Sequence, residues 1–146
     1  QVIAQYHEFV RLGRDGYRML HMASHANAQY FAEKLGEMNL FRLIHDGDPN
    51  QGIPTVVWTL DDNPKHGFNL YDFADRLRMR GWQVPAYPFT GELETKAFQR
   101  ILVKRDFTRD MADLLLEDIR QAIEHFQKHP ITNNLLAEEA ASYNHL

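Results

Sequence analysis

Arg100 interrupts a run that is otherwise apolar and rich in strand-forming residues, "AFQRILVK" at 97–104. Side chains alternate between the two faces of a strand, so Arg100 shares a face with Phe98 and Leu102, while Ile101 and Val103 point the other way. A sheet with helices on one side needs only one apolar face. The second face is then wet, or pressed against something outside the chain, and a guanidinium there can hold a carboxylate through a two-point hydrogen-bonded pair. The structural alternative is an ion pair with Glu92 or Glu94, and the local residues by themselves favour that alternative.

Other clusters fit their chemistry less well. "DGDPNQG" places Asp46, Asp48 and Asn50 at the spacing of the first ligands of a calcium loop, but Gln51 stands where that loop needs glycine and Val57 where it needs a bidentate glutamate. A turn is the expectation. His21 and His25 lie four apart on a helix, with no intervening Glu and no obvious third ligand, so no metal site is expected. "RLRMRGWQVPAYP" (76–88) gathers arginines before an apolar, proline-broken stretch; Asp72 and Asp75 lie early and Arg76, Arg78 and Arg80 late, which suits a helix macrodipole without any ligand. No nucleophile-elbow, Walker or dinucleotide fingerprint occurs.

The elements that must carry these residues can be read from periodicity. Val2 to about Leu35 repeats apolar residues at helical spacing (Tyr6, Phe9, Val10, Tyr17, Leu20, Phe31, Leu35), a helix long enough to bridge two domains, with Gly13 and Gly16 as candidate bends. "FRLIHDGDPNQGIPTVVWTL" reads as strand, loop, strand, joined either as a hairpin or as a crossover. Asn69 caps a helix with apolar face Leu70, Phe73, Ala74 and Leu77, closed by Gly81. "WQVPAYP" and "AFQRILVK" supply two more extended segments, and Thr108 caps a last helix with stripe Leu115, Ile119, Ala122, Ile123 and Phe126, stopped by Pro130. The pattern predicts an α/β layer (α+β in its segregation), with residues 1–130 as one domain including the helix at about 1–36, and 131–146 as a tail.

The length of 146 residues suits one domain, and 44% hydrophobic with 25% charged residues suits a globular one. Acidic residues outnumber basic ones, 20 against 16, so the net charge of −4 argues against nucleic acid as a partner. There are no cysteines, hence no disulfides and no thiolate metal site, and no run of 18 apolar residues, so a cytoplasmic protein with no membrane partner is expected. The opening "QVIAQYHEFVRLGRDG" lacks an initiator Met and any signal-peptide pattern, and is expected to be a cut within a longer chain.

In order along the chain, "QVIAQY", "RLGRDGY", "GIP" at 52–54, "LYDFADRLRMRGWQVPAY", "LLLED" at 114–118 and a penultimate histidine resemble the C-terminal part of bacterial pyridoxal-phosphate-dependent glutamate decarboxylases. The resemblance implies the small domain of an aspartate-aminotransferase-like fold, a short, mostly antiparallel sheet covered by helices. It implies a homo-oligomeric cytoplasmic enzyme of glutamate metabolism and acid resistance that converts L-glutamate to 4-aminobutyrate and CO2. It also implies that Arg100 binds the substrate α-carboxylate. The partner would be an upstream cofactor-binding domain of the same chain. Departures are "KAFQR", more polar ahead of the arginine than the family pattern, and Tyr87 where phenylalanine is common. In the family the Schiff-base lysine follows a histidine, which none of Lys34, Lys65, Lys96, Lys104 and Lys128 does, so the pyridoxal 5′-phosphate is expected to be held elsewhere and the fragment to be inactive alone. The tail "SYNHL" suggests a pH gate at His145. Two other readings stay open here: a free-standing α/β interaction module, and a related decarboxylase for another amino acid.

Overall fold

The computed structural model describes residues 1–61 and 66–131. Helix α1 (Val2–Gly36) is followed by strands β1 (Phe41–Asp46) and β2 (Thr55–Leu60), helix α2 (Leu70–Arg78), strands β3 (Ala86–Pro88) and β4 (Ala97–Leu102), and helix α3 (Arg109–Lys128). The sheet runs in the order β1-β2-β4-β3 and every pairing is antiparallel. The alternatives left open for β1 and β2 resolve as a hairpin, and β4 then inserts between β2 and the edge strand β3.

One apolar core occupies one face of this sheet. It joins Phe31 and Leu35 of α1, Phe73 and Leu77 of α2, and Leu115 and Ile119 of α3 to Val56 and Trp58 of β2 and Ala86 of β3. Helix α1 lies against β1 and β2, α2 against β3 and β4, and α3 packs on both helices. The helix boundaries follow local chemistry. Asn69 Oδ1 accepts from the backbone N–H of Tyr71 and Asp72 while Asp72 reaches back to the Asn69 N–H, a complete capping box. Gly81, at φ +92°, ends α2 in a Schellman turn, with Trp82 N–H bonded to Leu77 O and Gly81 N–H to Arg78 O. Thr108 Oγ1 accepts from Met111 N–H at the start of α3.

The long helix departs from the periodic reading in two ways. It breaks at Gly13 (φ 58°, ψ −171°), a conformation that glycine alone adopts with ease, whereas Gly16 remains helical. The predicted apolar stripe is also buried over only part of its length: Ser24, Ala28, Phe31, Ala32 and Leu35 are in the core, whereas Val2, Ile3, Tyr6, Phe9 and Val10 are exposed. Periodicity reports that a face is apolar. It does not report what covers it.

Gly47 docks the β1–β2 loop on α1. Its φ is +83°, and a Cβ there would come within 2.5 Å of the Ala28 Cβ, so both its conformation and its closeness to α1 require glycine. His25 Nδ1, 2.7 Å from Gly47 O, completes this contact.

Candidate functional site

Strand β4 presents two different chemistries on adjacent residues. Gln99 points into the core, fully buried, where its Oε1 accepts from Trp58 Nε1 (3.2 Å) and its Nε2 donates to Val84 O (2.7 Å). A buried primary amide is tolerated only when its groups are paired, and these two bonds tie β4 to β2 and to the segment entering β3. Arg100, the next residue, points to the opposite, uncovered face and is exposed.

The uncovered face can be mapped from the register. Arg42 of β1 lies opposite Thr59, Val57 opposite Arg100, Thr55 opposite Leu102, and Tyr87 opposite Phe98. A bulge between Leu43 and His45 shifts the β1 register, so that His45 pairs with Val57 and falls in the same cross-sheet row as Arg100. Around the arginine lies an aromatic group: Tyr87 and Phe98 have ring centroids 5.7 Å apart, and Phe98 and Phe89 4.9 Å. Arg100 Cζ sits 5.4 Å from the centroid of the Tyr87 ring. Among the described residues Arg100 forms no ion pair, so the anticipated bridge to Glu92 or Glu94 is replaced by a contact that leaves its N–H donors unspent.

The arginine-rich stretch before β3 serves as scaffold. Asp118 of α3 accepts from Arg80 Nε (2.9 Å) and, through its other oxygen, from Trp82 Nε1 (2.7 Å). That carboxylate fixes the chain leaving α2 just before it enters the sheet. Two stretches quoted above for the family resemblance, 70–87 and 114–118, therefore meet in space.

The remaining clusters make local contacts. In the 46–52 loop Asp48 accepts from the Asn50 backbone N–H and amide (both 2.9 Å) and from Gln51 (3.2 Å), and the Asn50 backbone bond is the main cause holding its carboxyl below the ordinary range. The loop is an Asx turn. His21 stacks against Tyr17 while His25 bonds the Gly47 carbonyl, so the two do not converge. No group of three or more metal-ligating side chains occurs among the described residues. Nor is any helix among them long and apolar enough to cross a membrane. His145 and the tail beyond Ile131 lie outside the described residues.

Sequence reasoning located Arg100 but missed what surrounds it. In the sequence Tyr87 stands out only as a departure from a family pattern and Gln99 only within the polar "KAFQR", while nothing marks His45. The Gln99 signal was present: a long polar side chain on the face that otherwise carries Ile101 must find partners when buried. The pairing of Tyr87 with Arg100 and the placement of His45 depend on strand register and a bulge, which local spacing does not encode.

No family model matches the chain. Among curated proteins, the glutamate decarboxylase of Aliivibrio fischeri is 41% identical over 145 residues, 99% of this chain and 31% of that protein. The glutamate decarboxylase of Lactococcus lactis subsp. cremoris is 42% identical over 128 residues, 88% of this chain and 27% of that protein. The chain thus spans about a third of the curated relatives it matches. Among solved structures, glutamate decarboxylase of Lactobacillus brevis superposes with a TM-score of 0.84 at 38% identity, covering 90% of this chain and 29% of that one. A sphingosine-1-phosphate lyase of Burkholderia pseudomallei shares the fold, with a TM-score of 0.58 at 22% identity over 79% of this chain and 23% of its own.

Proposed function

We propose that this chain is the C-terminal, small domain of a cytoplasmic, homo-oligomeric glutamate decarboxylase, a pyridoxal-phosphate enzyme converting L-glutamate to 4-aminobutyrate and CO2 in acid resistance. The observation that carries the proposal is the uncovered sheet face with Arg100 at its centre, on a domain similar over its whole length to part of proteins named glutamate decarboxylase. In this reading Arg100 binds the substrate α-carboxylate with an N–H fork that forms no ion pair among the described residues, Gln99 and Trp58 hold the strand that presents it, and Asp118 fixes the chain leading into the neighbouring strand β3.

In this reading the covalent attachment of the cofactor lies outside this chain. Lys34 Nζ is bonded to Glu37 and Lys128 Nζ lies 3.9 Å from Glu124, both on helix surfaces away from Arg100, and no lysine follows a histidine. No chemical step is therefore assigned to this chain beyond binding and orienting a carboxylate. The attachment belongs to an upstream domain of a longer chain.

The test uses the full-length protein with pyridoxal phosphate and L-glutamate, with 4-aminobutyrate and CO2 measured. Arg100→Ala is expected to lower kcat/KM by roughly 30-fold to several thousand-fold, the equivalent of about 2–5 kcal/mol for stranding a buried charge partner. Arg100→Lys should recover little, because an ammonium cannot reproduce the planar fork. The 146-residue chain alone should form no borohydride-trappable adduct at a single lysine. Unchanged turnover in a folded Arg100→Ala protein would return Arg100 to a structural role.

The tail adds a second element, proposed on its residues alone. Neutral His145 can enter an apolar cleft at modest cost, whereas the imidazolium resists desolvation, so burial depresses its docked pKa. Docking is then favoured above the free value of ~6.5 and is lost as pH falls through the docked one. Deleting residues 143–146 should extend activity toward neutral pH with the acid rate nearly unchanged, and a superimposable pH profile would remove the gate.

A further inference from the structure

The aromatic ring in contact with Arg100 comes from a neighbouring strand, not from its own. Tyr87 lies on edge strand β3, opposite Phe98 and therefore diagonal to Arg100, within reach for side chains of this length. Its ring takes the guanidinium at 5.4 Å and is itself backed by Phe98 and, beyond it, Phe89. Such a contact restrains the cation through the ring quadrupole while consuming none of its five N–H donors. A carboxylate partner such as Glu92 or Glu94 would restrain it too, but would occupy the edge that a ligand needs.

β3 is only three residues long, so the ring needs its own anchor. Gln99 supplies it from the other face: its Nε2 bond to Val84 O fixes the backbone two residues before the strand begins. The amide in the core and the ring on the open face thus act on the same pair of strands from opposite sides.

We propose that Tyr87 is a positioning residue for carboxylate binding, holding the Arg100 guanidinium over its ring with the N–H fork directed away for the α-carboxylate of an amino acid. This rests on the reading of Arg100 given under Proposed function. The ring face is the operative feature, so the position accepts phenylalanine as well as tyrosine, and no aliphatic side chain substitutes.

The experiment compares Tyr87→Phe, Tyr87→Leu and Arg100→Ala in the full-length holoenzyme, reading KM and kcat for L-glutamate and, separately, equilibrium binding of glutarate by calorimetry. Tyr87→Leu is expected to raise KM and the glutarate Kd by roughly three- to thirty-fold, the range of a cation–π contact from exposed to desolvated, with kcat nearly unchanged. Tyr87→Phe should return both to within about twofold of wild type, and in the Arg100→Ala background Tyr87→Leu should add nothing. If Tyr87→Leu leaves KM and glutarate affinity at wild-type values while Arg100→Ala weakens both, the positioning role is wrong and the function stands. If Arg100→Ala also leaves both unchanged, the underlying reading is wrong. Should Tyr87→Leu melt early, Tyr87→Met fills similar volume without a ring face, and the same outcomes apply to it.

Discussion

The two faces of one sheet are built on opposite rules. On the covered face, Trp58 and Gln99 are wholly buried, and each polar atom of that pair finds a partner. On the other, Arg100 has no ion pair among the described residues, rests on an aromatic ring, and shares its face with the exposed Leu102. Alternating residues along six positions of β4 therefore divide the labour. The inner ones contribute the free energy that fixes the backbone, and the outer ones keep chemical freedom because the inner ones have already fixed the geometry.

Two substitutions can break that comparison. Trp58→Ala removes a ring packed against Phe31 (centroids 5.9 Å apart) and strands Gln99 Oε1, and should destabilise the chain by about 3–5 kcal/mol in denaturant melts. Against a domain stability of about 5–15 kcal/mol, that is a large loss. Arg100→Ala should change the same melts by no more than about 0.5 kcal/mol, as an exposed side chain without an ion pair among the described residues. Comparable losses at the two positions would show that the open face also stabilises the fold.

The smallest effect concerns His125, half-buried on α3 beside His129, with ring centroids 5.0 Å apart. Burial, then Arg76, then His129 lower its pKa from the ordinary 6.5. The folded form thus binds fewer protons than the unfolded one, so the contribution is present above the ordinary value and is lost as pH falls toward the lowered one. The His125→Gln chain should show a slightly flatter dependence of its denaturation midpoint between pH 7.5 and 5.5. A steeper one would reverse the sign argued here.

What was legible in the sequence is what local chemistry decides. Asn69, Gly81 and Thr108 marked helix ends because caps answer to one or two backbone groups nearby. The strand containing Arg100 was legible because alternation is a property of consecutive residues, and the family motifs made the covering helices and the antiparallel sheet foreseeable. What was not legible depends on distant partners. Gly13 rather than Gly16 breaks α1, although both are glycines three residues apart with the same intrinsic freedom. Gly47 was invisible as a contact because the atom it must avoid belongs to Ala28, on another element. The exposure of Tyr6 and Phe9 could not be read from an amphipathic pattern that continues smoothly into Phe31 and Leu35.

The break at Gly13 also has a mechanical side. An unbroken helix of 35 residues would be a stiff rod of about 52 Å, and a load at its first turn would act on the sheet through the full lever arm. Two unequal rods meet instead at one pair of backbone dihedrals. The short rod, about 16 Å over residues 2–12, touches the rest of the domain through the exposed Glu8–Arg105 pair (3.8 Å) and through Phe9 against Tyr17. A load on Val2, Ile3 and Tyr6 can therefore tilt that rod with little torque carried along the helix to Phe31 or Trp58, leaving the exposed Glu8–Arg105 pair as a weak link to the segment that follows the strand carrying Arg100.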